Sequence, residues 1–406
     1  MRAFSFFTIL LLCAIILLVD ILAFYWLQSI TQPIGSTLFK TIINVLFWVF
    51  TIGLIISIIV LKATLDAINP IRRQLLISSF YGLTVSSFIP KLLFVIIISI
   101  LYFTNYLFSE SESSIMVPLI GLLSGFIPFF VILNGIFRSV YRFKVYHQTL
   151  ALKKLPESFN GLRIVQLSDL HLGSFNFKYE IVKRAIRKVN DLQPDIICIT
   201  GDLVNNYAWE LKGWDSVFKA LKAEHGKYAI LGNHDYGDYS EWDTPEAKQK
   251  NFETIKRFYE EIDFKLLLNE AEVIYRGKEK IAVVGVENWG TPPFKKYGNL
   301  KLALSSVIST PFQLLLSHDP THWTEEVVGK THITLTLSGH THGMQAAFQY
   351  KNLKWSPIQY KFKHWAGLYS KNKQFLYVNR GLGWLGFPAR IGMRPEITCI
   401  DLKCGT

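Results

Sequence analysis

Charge is what this sequence has least of. Over 406 residues, Asp, Glu, Lys and Arg make up 18%, against about a quarter in an ordinary soluble domain. The shortage is local. Residues 1–144 hold nine basic and four acidic side chains, and the remaining 61 charges lie beyond them. Such a break excludes one uniform globular protein and also a wholly embedded one. Disorder is excluded as well, because half the residues are hydrophobic. Cysteine is scarce too: Cys13, Cys198, Cys399 and Cys404 form no C-x-x-C pair and no disulfide framework, which fits a reducing compartment. The net charge is +12, yet no basic run marks a nucleic-acid tail. An anionic membrane surface is the more natural partner for that excess, and no obligate protein partner is evident.

The first 144 residues read as an α-helical transmembrane region. Four spans are expected, near 4–27, 41–61, 82–108 and 114–137, each long enough to cross a hydrocarbon core at about 1.5 Å per residue. The third carries Lys91 beside Pro90, where a fifth span would enter if the stretch were divided. The first is too long for a signal peptide and no small-x-small cleavage site follows it. Its Asp20 is read as reaching the membrane interface. Basic residues bias the loops: Arg2, Lys62, Arg72, Arg73, Arg138, Arg142 and Lys144 share one side, whereas Lys40, Glu110 and Glu112 face the other. Both termini are therefore expected in the cytoplasm. Residues 145–159 read as a linker and 160–406 as a soluble domain.

In that domain, short β-rich runs end in polar residues. Residues 163–168 lead into Asp169-Leu170-His171, and 195–200 into Gly201-Asp202. Residues 228–231 lead into Gly232-Asn233-His234-Asp235, 312–317 into His318-Asp319, and 333–338 into Gly339-His340-Thr341-His342-Gly343. Helical patterns fall between them at 178–192, 214–223 and 251–263, which implies an α/β architecture. In such folds ligands bind beyond the carboxyl ends of the strands. Asp169, His171, Asp202, Asn233, His234, His318, His340 and His342 can thus be delivered to one place. They form an N/O donor set without thiolate, suited to Mn, Fe or Zn. Eight donors exceed the need of one ion. Two divalent ions about 3.5–4 Å apart with a shared carboxylate would use them, and such pairs serve in-line attack at phosphorus. Asp169/His171 and His340/His342 are each expected on one side of an extended segment. His147, His225, His322, His332 and His364 lie outside these blocks and read as surface or structural.

The ordered blocks SDLH, GDLV, GNHD, SHD and GHTH, with VNRGLG and RPEIT near the end, resemble the calcineurin-like metallophosphoesterase superfamily, in particular its bacterial membrane-associated YkuE-like branch. The resemblance covers about 160–402. It implies a two-layer β-sandwich flanked by helices. It further implies one metal on Asp169, His171, Asp202 and His342 and a second on Asp202, Asn233, His318 and His340, with Asp202 bridging. A hydroxide between the metals would be the nucleophile, and His234 would protonate the leaving oxygen or stabilise the transition state. Two departures stand out. Asn205 occupies the place of the Asp that in many relatives orients the catalytic His, so its amide is expected to hold the ring. Met344 replaces the second Gly of GHTHGGQ, where a side chain could narrow the pocket or change the turn.

Arg380, before a Gly-rich turn, is a candidate phosphate contact, with ion pairing as the plainer role. Residues 350–373 interleave Lys351, Lys354, Lys361, Lys363, Lys371 and Lys373 with Tyr350, Trp355, Tyr360, Phe362, Trp365 and Tyr369. This suits a membrane interface, but an ordinary surface excursion is preferred. The leading expectation is a membrane-tethered dinuclear-metal phosphoesterase acting on a phosphoester or pyrophosphate, with a lipid-linked substrate inferred from location. The alternatives are a hydrolase of soluble nucleotides or phosphoproteins, or a catalytically weak metal-binding membrane scaffold.

Overall fold

The computed structural model describes residues 5–108, 116–292, 294–350 and 353–405. Arg2, Glu110, Glu112 and Lys351, used above, lie outside the described residues. The chain divides into two compact units. One holds the chain up to Arg138 together with Gly386–Ala389, and the other holds Ser139–Leu385 and the chain from Arg390 on.

The first unit is four helices: α1 (Phe6–Thr31), α2 (Thr37–Thr64), α3 (Pro70–Phe108) and α4 (Met116–Phe137). All four are long and apolar enough to cross a membrane. The third begins twelve residues before the expected span and continues through Pro90. Its 39 residues exceed the roughly 20 that a hydrocarbon core requires. Small residues let α4 approach α3 closely: a Cβ on Gly121 would meet Ile98, and one on Gly125 would meet Phe94. The interface reading of Asp20 is overturned. Asp20 is 1% exposed, its Oδ2 lies 2.8 Å from Lys91 Nζ, and the Thr51 hydroxyl donates to the same oxygen. Sequence distance hid this pair, since Lys91 reads as a break in its own span. It ties α1, α2 and α3 together. Farther along the helices, Gln28 donates to Asn44 at 2.5 Å and Trp26 Nε1 to Ser99 at 2.9 Å.

The second unit is a β-sandwich. Its first sheet joins β1 (Lys144–Leu152), β2 (Arg163–Leu167), β3 (Ile196–Thr200), β4 (Lys227–Ile230) and β5 (Lys265–Leu266) with a last strand, β14 (Glu396–Cys404), in the order β1-β14-β2-β3-β4-β5. The second joins β6 (Glu270–Arg276), β7 (Glu279–Gly285), β8 (Gln313–Leu316), β9 (Leu335–Ser338), β12 (Gly367–Lys371) and β13 (Gln374–Val378), in the order β12-β13-β9-β8-β7-β6. A separate ribbon is made by β10 (Phe348–Tyr350) and β11 (Leu353–Trp355). Ile164, Ile196, Ile230, Val283, Leu314 and Leu337 meet between the sheets, each fully buried side chain contributing about 2 kcal/mol. Helices α5 (Tyr179–Asp191), α6 (Asp215–Phe218) and α7 (Pro245–Glu261) cover the first sheet, while α8 (Leu300–Leu304) covers the second.

The stretch set down as a linker, 145–159, instead carries most of β1, which pairs in parallel with β14 over nine positions. Its exposure alternates from Tyr146 to Leu152, but the residue types there do not alternate apolar with polar, so no strand signature was legible. Strands β2, β3 and β4 run parallel, as do β7, β8 and β9. Their carboxyl ends therefore deliver the five polar blocks.

Replacing Lys91 with Leu strands the buried Asp20 carboxylate, which costs about 3 kcal/mol or more. Unfolding in mixed micelles should show that loss for Lys91→Leu and recover most of it in the Asp20→Leu/Lys91→Leu pair.

Candidate metal centre

Each functional side chain sits just past a strand end, where the backbone turns sharply. Asp169, His171, Asp202, His340 and His342 all hold positive φ, between 42° and 72°. None is glycine, so each carries strain of order 1 kcal/mol or more. The donor pairs are therefore presented by left-handed turns and not by the extended segments expected from the sequence. Neighbouring glycines make room. A Cβ on Gly339 would strike Ser168 Oγ and Asp169 Oδ2, and one on Gly232 would strike the Asp202 carboxylate.

The predicted donors converge in two groups. In the first, ligand atoms of Asp169, His171, Asp202 and His342 all lie within 4.8 Å of one another, and all four residues are buried. His171 Nε2 is 3.1 Å from His342 Nε2, and His342 Nε2 is 3.2 Å from Asp169 Oδ1. In the second, Asn233 Oδ1 lies 3.1 Å from His318 Nε2 and 2.8 Å from His340 Nδ1. Asp202 stands between them, its Oδ2 at 3.6 Å from His171 and 3.3 Å from His318.

Hydrogen bonds on the far side of the rings fix their tautomers. His171 Nδ1 donates to the Val204 carbonyl at 3.2 Å, and His318 Nδ1 to the Thr200 carbonyl at 2.7 Å. A neutral ring, as at His171, then turns an Nε2 lone pair toward other acceptors: the His342 imidazole and the Asp202 carboxylate. Buried acceptors facing acceptors are costly unless a cation sits among them. The donor set thus fits divalent metal. Charge follows the same geometry. Burial pushes His171 down to about 3 and His340 down to about 4. Burial also works against protonated His318, but the Asp202 carboxylate outweighs it and lifts His318 to about 10. Asp202 is held well below the usual carboxylate range against its own burial, chiefly by His318.

His234 stands apart from both groups. Its Nδ1 donates to the backbone carbonyl of Asn205 at 2.7 Å, and its ring lies 5.1 Å from that of His171. The expectation that the Asn205 amide holds this ring is corrected: that side chain turns to Ser174, at 3.3 Å. The turn that aims the carbonyl is braced by Glu210, a buried carboxylate accepting the N–H groups of Asn205 (2.7 Å), Asn206 (3.1 Å) and Tyr207 (3.1 Å). Burial raises Glu210 to about 7 against those donors. Asp235 does similar work between blocks, accepting the N–H groups of Asp202, Leu203 and Gly232 at 2.8–2.9 Å. Burial, with Asp202 nearby, pushes Asp235 up to about 7.

Arg380 is not brought to the cavity. Its Nη1 is 2.5 Å from Glu396 Oε2, and the guanidinium lies over the Tyr146 ring. The buried Glu396 carboxylate requires that counter-charge. Met344 neither lines the cavity nor undoes the turn. It adopts a φ of 52° and points to solvent. His322 is buried and structural, bonded to Ser317 and Glu326.

A cavity of about 260 Å³ opens on Asp202, Asn233, His234, His340 and His342, and its other walls are Phe294, Ile358, Lys361, Phe362 and Leu385. These walls were missed from the sequence, except that Lys361 and Phe362 fall in the lysine–aromatic stretch. A larger hollow of about 530 Å³ beside Phe177–Lys183 gathers no such donors.

Residues 162–344 match the family described as calcineurin-like phosphoesterase, and residues 1–140 match the probable calcineurin-like phosphoesterase transmembrane domain. The metallophosphoesterase YkuE of Bacillus subtilis is 32% identical over 261 residues, which is 63% of this chain and 84% of that protein. A transmembrane protein with metallophosphoesterase domain from Danio rerio is 30% identical over 269 residues, covering 64% of this chain and only 57% of its own length. The UDP-2,3-diacylglucosamine pyrophosphatase LpxG of Chlamydia muridarum is 29% identical over 302 residues, covering 62% of this chain and 87% of that protein.

Asp235→Ala removes the acceptor of four buried backbone donors, those of Asp202, Leu203, Val204 and Gly232, at about 1–3 kcal/mol for each such group left unpaired. Thermal melting should fall markedly, and metal bound per chain, read by elemental analysis, should fall with it.

Proposed function

Because the chain belongs to the metallophosphoesterases, we propose that it is a membrane-tethered phosphoesterase whose two donor groups hold two divalent ions across Asp202. The observation that carries this reading is the central place of the Asp202 carboxylate, within 3.6 Å of His171 on one side and 3.3 Å of His318 on the other. Asp169, His171 and His342 would complete one ion's ligands, and Asn233, His318 and His340 the other's. When bound, such ions supply Lewis acidity, lowering the pKa of a water and neutralising phosphoryl oxygens.

The chain's own residues do the rest. Asn205, through its carbonyl, holds the Nδ1 proton of His234, so that a second proton taken up at Nε2 is the one given to the departing oxygen or shared with a phosphoryl oxygen. Lys361 at the cavity wall offers a cation to the phosphate. Phe294, Ile358, Phe362 and Leu385 offer apolar surface to the alcohol part. That pairing supports a phosphoester or pyrophosphate with an apolar moiety, and the name of the LpxG relative supports the same class. Lys62, Arg72, Arg73, Arg138, Arg142 and Lys144 support a cytoplasmic catalytic domain. The scaffold reading rested on Asn205; the backbone carbonyl holds His234 whatever that side chain, and it brings no negative charge to the ring.

The test is hydrolysis of bis(p-nitrophenyl) phosphate and its monoester by the full-length protein in detergent. The protein is first stripped of metal and then given Mn²⁺, Fe²⁺ or Zn²⁺. Metal-dependent turnover should fall roughly 10²- to 10⁴-fold in His234→Ala and vanish, together with metal binding, in Asp202→Ala. Turnover indifferent to both substitutions would overturn the reading.

A further inference from the structure

The β10–β11 ribbon belongs to neither six-stranded sheet. In its register Phe348 lies opposite Trp355, Gln349 opposite Lys354, and Tyr350 opposite Leu353. Side chains alternate along a strand. Phe348, Leu353 and Trp355 therefore share one face, and Gln349 and Lys354 the other. On the polar face Gln349 is exposed, while Lys354 is turned inward: its Nζ donates to the Ala366 carbonyl and lies 4.4 Å from the centre of the Trp365 ring. The apolar face is turned outward, with Phe348 54% exposed, Leu353 62% and Trp355 43%. Tyr360, at the end of the following turn, is 81% exposed, and Met344 is exposed just before the ribbon.

This departs from the usual arrangement, in which the apolar face packs on the core and only the polar face meets water. A lone two-stranded ribbon is marginal in water even with its apolar face covered. Exposed cations stand beside it. Lys361 and Lys363 are both open to solvent, and the Lys361 ammonium lies 5.1 Å and 5.3 Å from the Phe294 and Phe362 ring centres. Outward aromatics with adjoining lysines match the headgroup zone of an anionic leaflet, which takes the rings at the hydrocarbon boundary and meets the ammonium groups with phosphate. A second copy would offer the same basic patch and no acidic complement. In a chain with four membrane-spanning helices, lipid is also a partner always at hand.

We propose that the outward face of the β10–β11 ribbon docks into an anionic lipid leaflet, with Phe348, Leu353 and Trp355 entering the interface and Lys361 and Lys363 holding lipid phosphates. The same segment reaches the cavity, because Ile358, Lys361 and Phe362 line its wall. Docking places that wall at the lipid surface.

The experiment reads position and not hydrolysis. Leu353→Cys is made in the full-length chain with Cys404→Ser, since the other cysteines are buried. It is labelled with an environment-sensitive nitrobenzoxadiazole dye and reconstituted into phosphatidylcholine vesicles with or without phosphatidylglycerol. Tyr275→Cys, on exposed β6, is the water-facing control. The expected result is blue-shifted emission at 353 and at least twofold stronger quenching by spin-labelled lipid than at 275. Phosphatidylglycerol should enhance the effect, and Lys361→Gln/Lys363→Gln should reduce the enhancement. Emission and quenching equal to those at 275 in every lipid would overturn the proposal. So would shielding that depends on protein density and not on lipid, because a second copy would then be the occupant. A chain that docks but hydrolyses no ester would leave this inference standing and sink the enzymatic one.

Discussion

A carboxylate at 1% exposure must find positive charge or strong donors, and Asp202 finds them on both sides of the sandwich. It hangs from the end of β3 in the first sheet, as Asp169 and His171 hang from β2 and Asn233 from β4. Its partner His318 comes from β8 in the second sheet, and His340 and His342 follow β9. The cluster is therefore made by the closing of one sheet on the other. Ions held there would cross-link the layers, so metal affinity and sandwich stability would be parts of one free energy. The apolar layer between the sheets brings the donors close. It does not orient them.

Orientation comes from the turns. Five of the donors sit in left-handed backbone that costs energy at every non-glycine position. Buried carboxylates that are not ligands hold those turns in place. Asp235 gathers the N–H groups of the Asp202 and Asn233 blocks, and Glu210 gathers those of residues 205–207. An acceptor ringed by backbone donors is a rigid mount. The strain is thus local to the site, and its support comes from the layer of hydrogen bonds behind it.

Much of this was legible because strand ends write short, polar, glycine-marked blocks. The runs at 163–168, 195–200 and 228–231 coincide with β2, β3 and β4 to within a residue or two, as the runs leading to His318 and His340 do with β8 and β9. What stayed hidden depended on contacts distant in sequence. Strand β1 has no clean alternation of apolar with polar residue types, and its pairing is with β14, some 250 residues away. Asp20 looked interfacial because nothing near it in the chain announces Lys91. Arg380 was a phosphate candidate with ion pairing as the plainer role; the pairing is what the structure shows, but its partner Glu396, sixteen residues on, was not legible. Asn205 misled for another reason: residue identity reports the side chain, whereas the group used is a carbonyl that every residue possesses.

That last substitution has a chemical consequence for the proposed role of His234. A backbone carbonyl fixes the Nδ1 proton as a carboxylate would, but it brings no negative charge to stabilise imidazolium. The ring is also driven toward its neutral form by burial, with the Asp202 carboxylate and the Asn205 carbonyl pulling the other way. An acid held that weakly serves best where the leaving oxygen needs little protonation. Phosphate leaving from a pyrophosphate, or a stabilised alcohol leaving from a diester, meets that condition. A simple alkoxide leaving from a monoester does not. The geometry of one hydrogen bond therefore bears, under the proposed function, on which leaving groups His234 could serve.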